Sequence, residues 1–346
     1  MSRPRLFVEL CAGSAAVSLR LVGGPCANPP IGYMGGKRGY ARAILGVLGL
    51  RQGLGAQEVW LNDAGPFGAV WQVLVQPGKA EEVAAIIRGW KDEEPRALWE
   101  RLKAEGWGEL TEVGEVAGHL WVAGHENPHG SALKPQYDQS LGYDWNPSAH
   151  SVWLASRVEA VARWLVCGAW SFRQGSPDSG YNKTEAEGGL PHHDSPTSTW
   201  AAKEALTTPR LARRLSSWPT PVRACHGSAL DVPIPEDCEG VYVYADPSYK
   251  DTTGYASNIY AEDLREYLRE WSARGAVVAI SEARPLVALM GDGWREVEIT
   301  AERVGQKRTF GGTREWLTLN REPLWRPSHQ PSLFGFDAEP DTGRAR

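Results

Sequence analysis

Short runs of apolar residues that stop at a polar residue or a glycine turn lie near both ends of the chain and predict buried β-strands. The first, LFVEL at 6–10, is followed by the Gly- and Ala-rich stretch CAGSAAVSLRL, where a helix is predicted to begin near Ser14. EVWLNDAG at 58–65 is the second run, and GVYVYADPSY at 240–249 is the third. Each predicted strand thus ends in residues that could bind a ligand or take part in a reaction.

Helices are predicted where apolar residues recur at spacings of three and four. One starts at about Lys37 after a Gly- and Pro-rich loop, the clearest covers 151–166, and another lies at 261–275. The run AVVAIS at 276–281 predicts a further strand, and the pattern of 295–320 indicates an antiparallel hairpin.

Strands and helices alternate in residues 1–80 and again in 219–325, which is typical of a doubly wound, Rossmann-like α/β sheet. The segment between them, 81–218, is rich in Trp and in long polar connections. We therefore expect one sheet that carries a large, mainly helical insertion. Residues 326–346 have the composition of a flexible tail.

Composition excludes several classes of protein. The 346 residues carry a formal net charge of -5. The sequence lacks a charged start followed by an apolar stretch, and no apolar run is long enough to span a bilayer, so we expect a cytoplasmic enzyme without a membrane partner. The five cysteines are an odd number without a C-x-x-C pair, which argues against a disulfide framework or a zinc ribbon. HHD at 192–194 has no second ligand group at a recognisable spacing, so a loop with solvated histidines is expected there and no metal site.

Basic residues are concentrated in local clusters despite the negative net charge. The stretch RVGQKRTFGGTR at 303–314 contains four of them and no acid, and RLARR at 210–214 contains three. Such clusters either contact nucleic acid or form an ordinary solvated face.

Doubly wound sheets bind their ligands at the carboxyl ends of the strands. Glu9 precedes a turn around Gly13, which either cradles a nucleotide or is an ordinary tight turn. Asp63 lies where such folds hold ribose hydroxyls, and the alternative is a carboxylate that caps a loop. Asp246 follows the third predicted strand, so all three acids are expected at one edge.

The sequence DPSY at 246–249 suits a planar amine. Pro247 fixes its own backbone and keeps Asp246 extended, so the carboxylate and nearby carbonyl groups project from the strand end. Tyr249 adds the face of an aromatic ring. Together these groups fit a base with an exocyclic amino group.

Five stretches in the two flanking blocks resemble motifs of the DNA amino-methyltransferases, in particular of the adenine-specific, Dam-like family. DPSY resembles the D-P-P-Y motif, and FVELCAGSAAVSL resembles the strand and turn of the E-P-F-x-G-x-G type. YMGGKRGYA is similar to the W-x-G-G-K segment, LNDAGPFGAVWQVL to the N-D-x-N segment, and REWLTLN to the terminal E-x-L-x-x-N strand.

This resemblance implies an enzyme that uses S-adenosylmethionine to methylate the 6-amino group of adenine in DNA, after flipping the base out of the duplex. Phe7 would support the first turn from behind, and Lys37 would lie near the carboxylate end of the cofactor. The remaining cofactor residues belong to the first turn and to the end of the second strand: Glu9, Cys11, Gly13 and Ala15 beside the methionine part, and Asn62 and Asp63 beside the ribose.

The resemblance also implies catalytic roles for Asp246, Pro247, Ser248 and Tyr249. Asp246 and the Pro247 carbonyl would hold the target amino group, and Tyr249 would stack on the flipped base. The chain departs from the family pattern in three ways. Ser248 replaces the second proline, and Cys11 and Ala15 replace the Phe and the second Gly of the first turn. The G-G-K segment follows the first strand, whereas in the family it normally precedes it.

In this interpretation residues 81–218 are the target-recognition domain, and double-stranded DNA is the partner of a monomeric protein. DNA contacts are assigned to six basic residues: Arg210, Arg213, Arg214, Lys307, Arg308 and Arg314. The tail sequence QPSLFGF is similar to peptides that dock on the replicative sliding clamp, through Gln330, Leu333 and Phe334.

Other interpretations stay open at this point. The same chemistry could act on cytosine in DNA or on a base in RNA. A non-catalytic relative that binds DNA without transferring a methyl group is the third alternative. For the tail, the alternative is a segment that packs back on the domain.

Overall fold

The computed structural model describes residues 3–25, 27, 29, 37–76, 78–90, 92–110, 121–122, 147–170, 221–249, 258–300 and 314–324. Within them the chain forms an α/β fold in which helices cover both faces of one mixed sheet. No helix of these ranges is both long and apolar enough to cross a lipid bilayer.

Among the described residues, eight strands form the sheet. In chain order they are β1 (Leu6–Leu10), β2 (Glu58–Asp63), β3 (Trp121–Val122), β4 (Val222–His226), β5 (Val241–Ala245), β6 (Val277–Glu282), β7 (Arg295–Thr300) and β8 (Arg314–Leu319). Their spatial order is β3-β4-β2-β1-β5-β6-β8-β7. The five strands from β4 to β6 are parallel, β3 is antiparallel to β4, and β8 runs antiparallel to both of its neighbours.

The helices of the described ranges are α1 (Ala16–Gly23), α2 (Ala41–Val47), α3 (Pro66–Leu74), α4 (Lys79–Gly89), α5 (Pro95–Glu105), α6 (Pro147–Trp170), α7 (Ala261–Ala273) and α8 (Val287–Met290). Short 3-10 turns lie at Lys37–Gly39, Gly108–Leu110 and Ala229–Asp231. A proline begins α3 and α5, at a position where the missing N–H removes no helical hydrogen bond.

Side chains of the central strands alternate between two cores, one on each face of the sheet. Phe7 packs in the core that also contains residues of α1 to α6, while Leu6, Val8 and Leu10 belong to the core beneath α7. All of β1 is buried, as expected for a parallel strand covered on both faces. The predicted doubly wound α/β architecture is therefore present.

Helices of the segment 81–218 pack on the first of these cores. Ile87 of α4 and Leu102 of α5 lie in the same hydrophobic cluster as Phe7. Trp164 of α6 meets Phe67 of α3 edge to face, with ring centroids 4.7 Å apart. The described part of this segment thus shares the core of the sheet, and a separate target-recognition domain stays a prediction because most of the segment lies outside the described residues.

The chain changes its direction of travel across the sheet between β1 and β5. Strands β2 and β4 lie on one side of β1, and β5 and β6 lie on the other. The carboxyl ends of β1 and β5 therefore border the crevice in which doubly wound sheets bind ligands. Because β8 is antiparallel, its first residues reach the same edge, where Trp316 pairs with Glu282 at the end of β6.

The predicted strands β1, β2, β5 and β6, the helices α6 and α7, and the hairpin of β7 and β8 are confirmed. Helix α1 begins at Ala16 instead of near Ser14. The sequence does not predict β4, because Arg223 and His226 interrupt the apolar pattern of VRACH. Both side chains are nevertheless buried, and Arg223 forms an ion pair with Glu58 of β2.

Trp164→Ala is expected to destabilise the whole protein, because it opens a cavity between α6 and the core on the sheet. Trp164 is 3% exposed, and loss of such a side chain costs about 3–5 kcal/mol. Urea unfolding followed by far-UV circular dichroism measures the change. Leu230→Ala, at a residue that is 46% exposed, is the control and should change the free energy of unfolding by less than about 0.5 kcal/mol. Equal stability of the two variants would contradict the shared core.

Candidate active site

The turn after β1 has an unusual backbone. Cys11, Gly13 and Ala15 have φ values of 55°, 47° and 51°, which places three alternate residues in the left-handed region. Glycine adopts this region freely, whereas a side chain there costs about 1–2 kcal/mol. Strain of this kind persists only where the surroundings fix the backbone, and it is commonly found at functional sites.

Contacts with β2 and α3 hold this turn in place. The Gly13 amide donates to Asp63 Oδ2 at 2.9 Å, and the Gly65 amide donates to Asp63 Oδ1 at 2.8 Å. On the other side, Trp71 Nε1 donates to the Gly13 carbonyl at 2.8 Å. Asp63 therefore ties two loops together, which is the capping role left open by the sequence. Its carboxylate is half-buried, so it can still accept hydroxyl groups from a ligand.

Glu9 of β1 anchors the start of α1. Its carboxylate accepts from the amides of Val17 at 3.4 Å and Ser18 at 2.7 Å. These amides belong to the first turn of α1, whose N-cap residue, Ala15, offers no side-chain hydrogen bond. Burial raises the pKa of Glu9 to about 7, against the lowering effect of these hydrogen bonds. Glu9 thus substitutes for the missing helix cap.

Two other residues expected near the cofactor are buried and help to hold the loops at this edge. Phe7 is fully buried in the core that also contains Ala15, in keeping with support of the turn from behind. Asn62 is 2% exposed, and its amide donates to the carbonyls of Gly227 and Ser228 at 3.1 and 3.3 Å. Asn62 therefore holds the loop after β4 against the end of β2.

Asp246 lies at the point where β5 stops. Its own amide still donates to the Leu10 carbonyl at 3.1 Å, but Pro247 has no N–H with which to continue the ladder. The chain then turns, and the Ser248 amide donates to the Ile259 carbonyl at 2.9 Å. These bonds place the Asp246 carboxylate at the crevice between β1 and β5.

A lysine from a different part of the sheet edge meets this carboxylate. Lys37 Nζ lies 3.1 Å from Asp246 Oδ1 and 3.2 Å from Glu315 Oε1. The Lys37, Asp246 and Glu315 side chains are only 8%, 18% and 6% exposed. Lys37 comes from the 3-10 turn before α2, and Glu315 comes from the amino end of the antiparallel β8. The ammonium is thus paired with the protein's own carboxylates. Its proximity to the carboxylate end of the cofactor, which the resemblance implies, stays a prediction.

Tyr249 joins the same cluster through its hydroxyl group. Lys37 Nζ donates to the hydroxyl at 2.5 Å, and the hydroxyl donates to Glu315. Lys37 Nζ is 4.5 Å from the ring centroid, so the much shorter distance to the hydroxyl places the ammonium at the edge of the ring. The hydroxyl is fixed, and Lys37 does not cover the ring face that the proposed stacking would use.

Two buried hydroxyl groups form a hydrogen-bonded chain that ends at Asp246. Ser281 Oγ donates to Asp246 Oδ1 at 2.9 Å, and the Tyr244 hydroxyl lies 2.9 Å from Ser281 Oγ. The β5–β6 register pairs Ala245 with Ile280, which places Ser281 beside Asp246 one position further on. Asp246 Oδ1 is therefore held by β6 as well as by Lys37.

Burial dominates the electrostatics of the cluster. It raises the pKa of Asp246 and raises that of Glu315 to about 7, although Lys37 acts in the opposite direction on both. Burial also opposes the charge of Lys37, but the two carboxylates outweigh it and raise its pKa above the ordinary value. Lys37 therefore stays charged, while burial favours the protonated form of both carboxyl groups.

Sequence reasoning assigns no role to Glu315, Ser281 or Tyr244, although Glu315 stands inside the REWLTLN match. Arg314 begins β8, and the other predicted DNA and clamp contacts lie outside the described residues: Arg210, Arg213, Arg214, Lys307, Arg308, Gln330, Leu333 and Phe334. Within the described ranges, His, Cys, Asp and Glu form no group of three or more that could hold a metal ion.

No family model matches the chain, and no curated protein matches it in sequence. The function is therefore inferred from the geometry of the site together with the motifs in the sequence.

Ala15→Gly is expected to leave stability nearly unchanged. Relief of about 1–2 kcal/mol of backbone strain offsets the lost methyl burial and the greater freedom of the unfolded chain. Ala16→Gly removes an equally buried methyl one residue later, inside α1, and should cost about 1.5–2 kcal/mol. Chemical denaturation of both variants tests the difference, and equal losses would show that Ala15 is unstrained.

Lys37→Met is expected to destabilise the protein by about 3–5 kcal/mol at pH 8, because it leaves two buried carboxylates without a cation. A carboxyl group whose folded pKa exceeds its unfolded value binds more protons in the folded state, so stability falls as pH rises between the two values. Removing Lys37 raises the folded-state pKa values of Asp246 and Glu315 further, so the fall in stability continues to higher pH. Urea unfolding at pH 5 should therefore show a smaller loss than at pH 8.

The matched control is Lys79→Met, because Lys79 pairs with Glu82 on the surface. It should cost less than about 1 kcal/mol at both pH values. A loss at Lys37 that is equally small, or that does not depend on pH, would contradict the buried charge cluster.

Proposed function

We propose that the protein is an S-adenosylmethionine-dependent DNA methyltransferase that acts on the 6-amino group of adenine. The observation that carries this proposal is the convergence of Lys37 and Asp246 at the crevice of the sheet, 3.1 Å apart. They belong to the GGK and DPSY segments, two separate stretches of the sequence that resemble motifs of the same enzyme family. If the two resemblances were accidental, there would be no reason for Lys37 and Asp246 to lie side by side at a ligand-binding edge.

The charges around the crevice suit a cationic cofactor. Glu9, Asp63, Asp246 and Glu315 all have pKa values raised by burial, and Lys37 is the cation that contacts Asp246 and Glu315 among the described residues. When bound, S-adenosylmethionine supplies an electrophilic methyl group on a positively charged sulfur. A positive charge placed here would relieve the excess of buried acid.

The left-handed turn after β1 also fits the proposed cofactor. Its residues Cys11 to Ala15 border the crevice, and the Asp63 carboxylate behind it retains acceptor capacity after its bonds to Gly13 and Gly65. We assign the turn to the amino-acid part of the cofactor and Asp63 to its ribose. In this assignment Lys37 serves Asp246 instead of the cofactor.

Asp246 would activate the target amine by accepting a hydrogen bond from it. An aromatic amine is a weak nucleophile because its lone pair is delocalised into the ring, and an acceptor favours the pyramidal nitrogen that can attack. The nitrogen would form a bond to the methyl carbon as the carbon–sulfur bond breaks, which releases a neutral thioether, and the nitrogen would then lose one proton to solvent. Among the described residues, Lys37 and Ser281 donate to Asp246 Oδ1, and the Tyr249 hydroxyl, which donates to Glu315, lies 3.4 Å from the same oxygen. Oδ2 is the oxygen left for the amine, and the Pro247 carbonyl is assigned as its second acceptor.

Tyr249 would hold the flipped base by stacking. Flipping costs a few kcal/mol, and stacking on an aromatic ring returns about 1–3 kcal/mol. The bonds from its hydroxyl to Lys37 and Glu315 fix the ring before the base arrives, so little freedom is lost on binding. Ser248, buried behind the turn, keeps the motif compact where the family has a second proline.

The test is transfer of labelled methyl from S-adenosylmethionine to unmethylated double-stranded DNA, followed by digestion to nucleosides. We expect label in N6-methyladenosine, and we expect Asp246→Ala to lower the rate by about 100- to 1000-fold while cofactor binding is retained. Asp292→Ala, at an exposed acid in the turn after α8, is the control and should leave the rate unchanged.

Other outcomes decide between the alternatives. Label in cytosine or in RNA would replace adenine in DNA as the substrate. Cofactor binding without label in any nucleic acid would remove the enzymatic proposal in favour of a non-catalytic DNA-binding protein.

A further inference from the structure

A chain of two buried hydroxyl groups ends on the carboxylate that the proposed reaction uses. Tyr244 of β5 and Ser281 of β6 are both fully buried. The Tyr244 hydroxyl lies 2.9 Å from Ser281 Oγ, and Ser281 Oγ lies 2.9 Å from Asp246 Oδ1. Neither residue reaches the crevice, so neither can touch a substrate.

The direction of the hydrogen bonds follows from counting protons. The ionised carboxylate accepts only, and it lies 2.9 Å from Ser281 Oγ whereas the Ala245 carbonyl lies 3.5 Å away, so Ser281 donates its single hydrogen to Asp246 Oδ1. Ser281 then accepts from Tyr244, which must be the donor. Burial raises the pKa of Tyr244 well above its usual value, which keeps this phenol protonated and able to donate. The chain therefore runs one way, from Tyr244 through Ser281 to Asp246.

We infer that Tyr244 and Ser281 are positioning residues, which orient the Asp246 carboxylate so that Oδ2 faces the target amine. This inference rests on the proposed methyl transfer. Lys37 attracts Oδ1 by charge and tolerates several geometries, whereas a hydroxyl donates along one direction. Ser281 is attached to a central strand, so it fixes the rotation of the carboxylate relative to the sheet. The acceptor is thereby held in place before the substrate binds.

Several other ionisable groups interact electrostatically with the Asp246 carboxyl group, and the Ser281 variant keeps all of them. Lys37 acts from the 3-10 turn and Glu315 from β8. The others are Glu9 of β1, Cys11 of the left-handed turn, Asp63 of β2, Tyr244 of β5, Tyr249 of the DPSY turn and Glu282 of β6. A pH profile that moves in the Ser281 variant therefore reports the lost hydroxyl.

The experiment compares methyl-transfer kinetics of wild type and Ser281→Ala across pH. Loss of a hydrogen bond to a charged acceptor is expected to lower kcat by about 10- to 100-fold, with KM for the cofactor changed by less than about 2-fold. A donor favours the ionised carboxylate, so its loss raises the pKa of Asp246. The acidic limb of the kcat profile should therefore move to higher pH, an effect that a purely structural role would not produce.

Tyr244→Phe distinguishes a positioning role from a general loss of protein structure. It should lower kcat less than Ser281→Ala, because the serine keeps its own bond to Asp246. Since Tyr244 acts through Ser281, the double variant should be no slower than Ser281→Ala alone. Matched controls are Ser272→Ala and Tyr267→Phe, which remove hydroxyl groups bonded to Asn320 and to the Val232 carbonyl, away from the crevice. Both controls should leave kcat and its pH profile unchanged.

The outcomes distinguish this inference from the proposed function. If wild type transfers methyl and Ser281→Ala has the same kcat and pH profile, the inference is wrong while the function stands. Strictly multiplicative losses in the double variant would also contradict a chain through Ser281. If wild type transfers no methyl to DNA or RNA, both are overturned.

Discussion

The pairing of one buried ammonium with two buried carboxylates is the constraint on which the rest of the site depends. Lys37, Asp246 and Glu315 come from three separate elements, and the charge of each is stabilised in this buried environment by an opposite charge on another. Their mutual attraction fixes the 3-10 turn before α2, the end of β5 and the start of β8 at one edge of the sheet. The proposed function assigns a cationic cofactor and an aromatic amine to that edge.

The sheet topology explains why these elements can meet. β1 and β5 flank the point where the chain changes direction across the sheet, so their carboxyl ends leave a crevice between them. A parallel eighth strand would present its carboxyl end at this edge. Because β8 is antiparallel to β6, it presents its amino end instead, and Glu315 is brought to Lys37.

Rigidity is built into both sides of the crevice by different means. On the β1 side, a strained turn is held by Asp63 and Trp71, and Glu9 caps the helix that follows. On the β5 side, hydroxyl groups on neighbouring strands hold Asp246. Both arrangements commit buried polar groups to fixed partners, which would suit the proposed methyl transfer because that reaction depends on positioning.

The sequence by itself determined the central strands, the glycine turn and the DPSY turn, because each depends on local periodicity or on the backbone limits of Gly and Pro. It also placed Asp63 and Asp246 at strand ends. Only the tertiary structure decided that Lys37 binds Asp246, that Glu315 completes the cluster and that Ser281 lies beside it. Those contacts depend on strand order and register, which arise from packing between residues far apart in the chain.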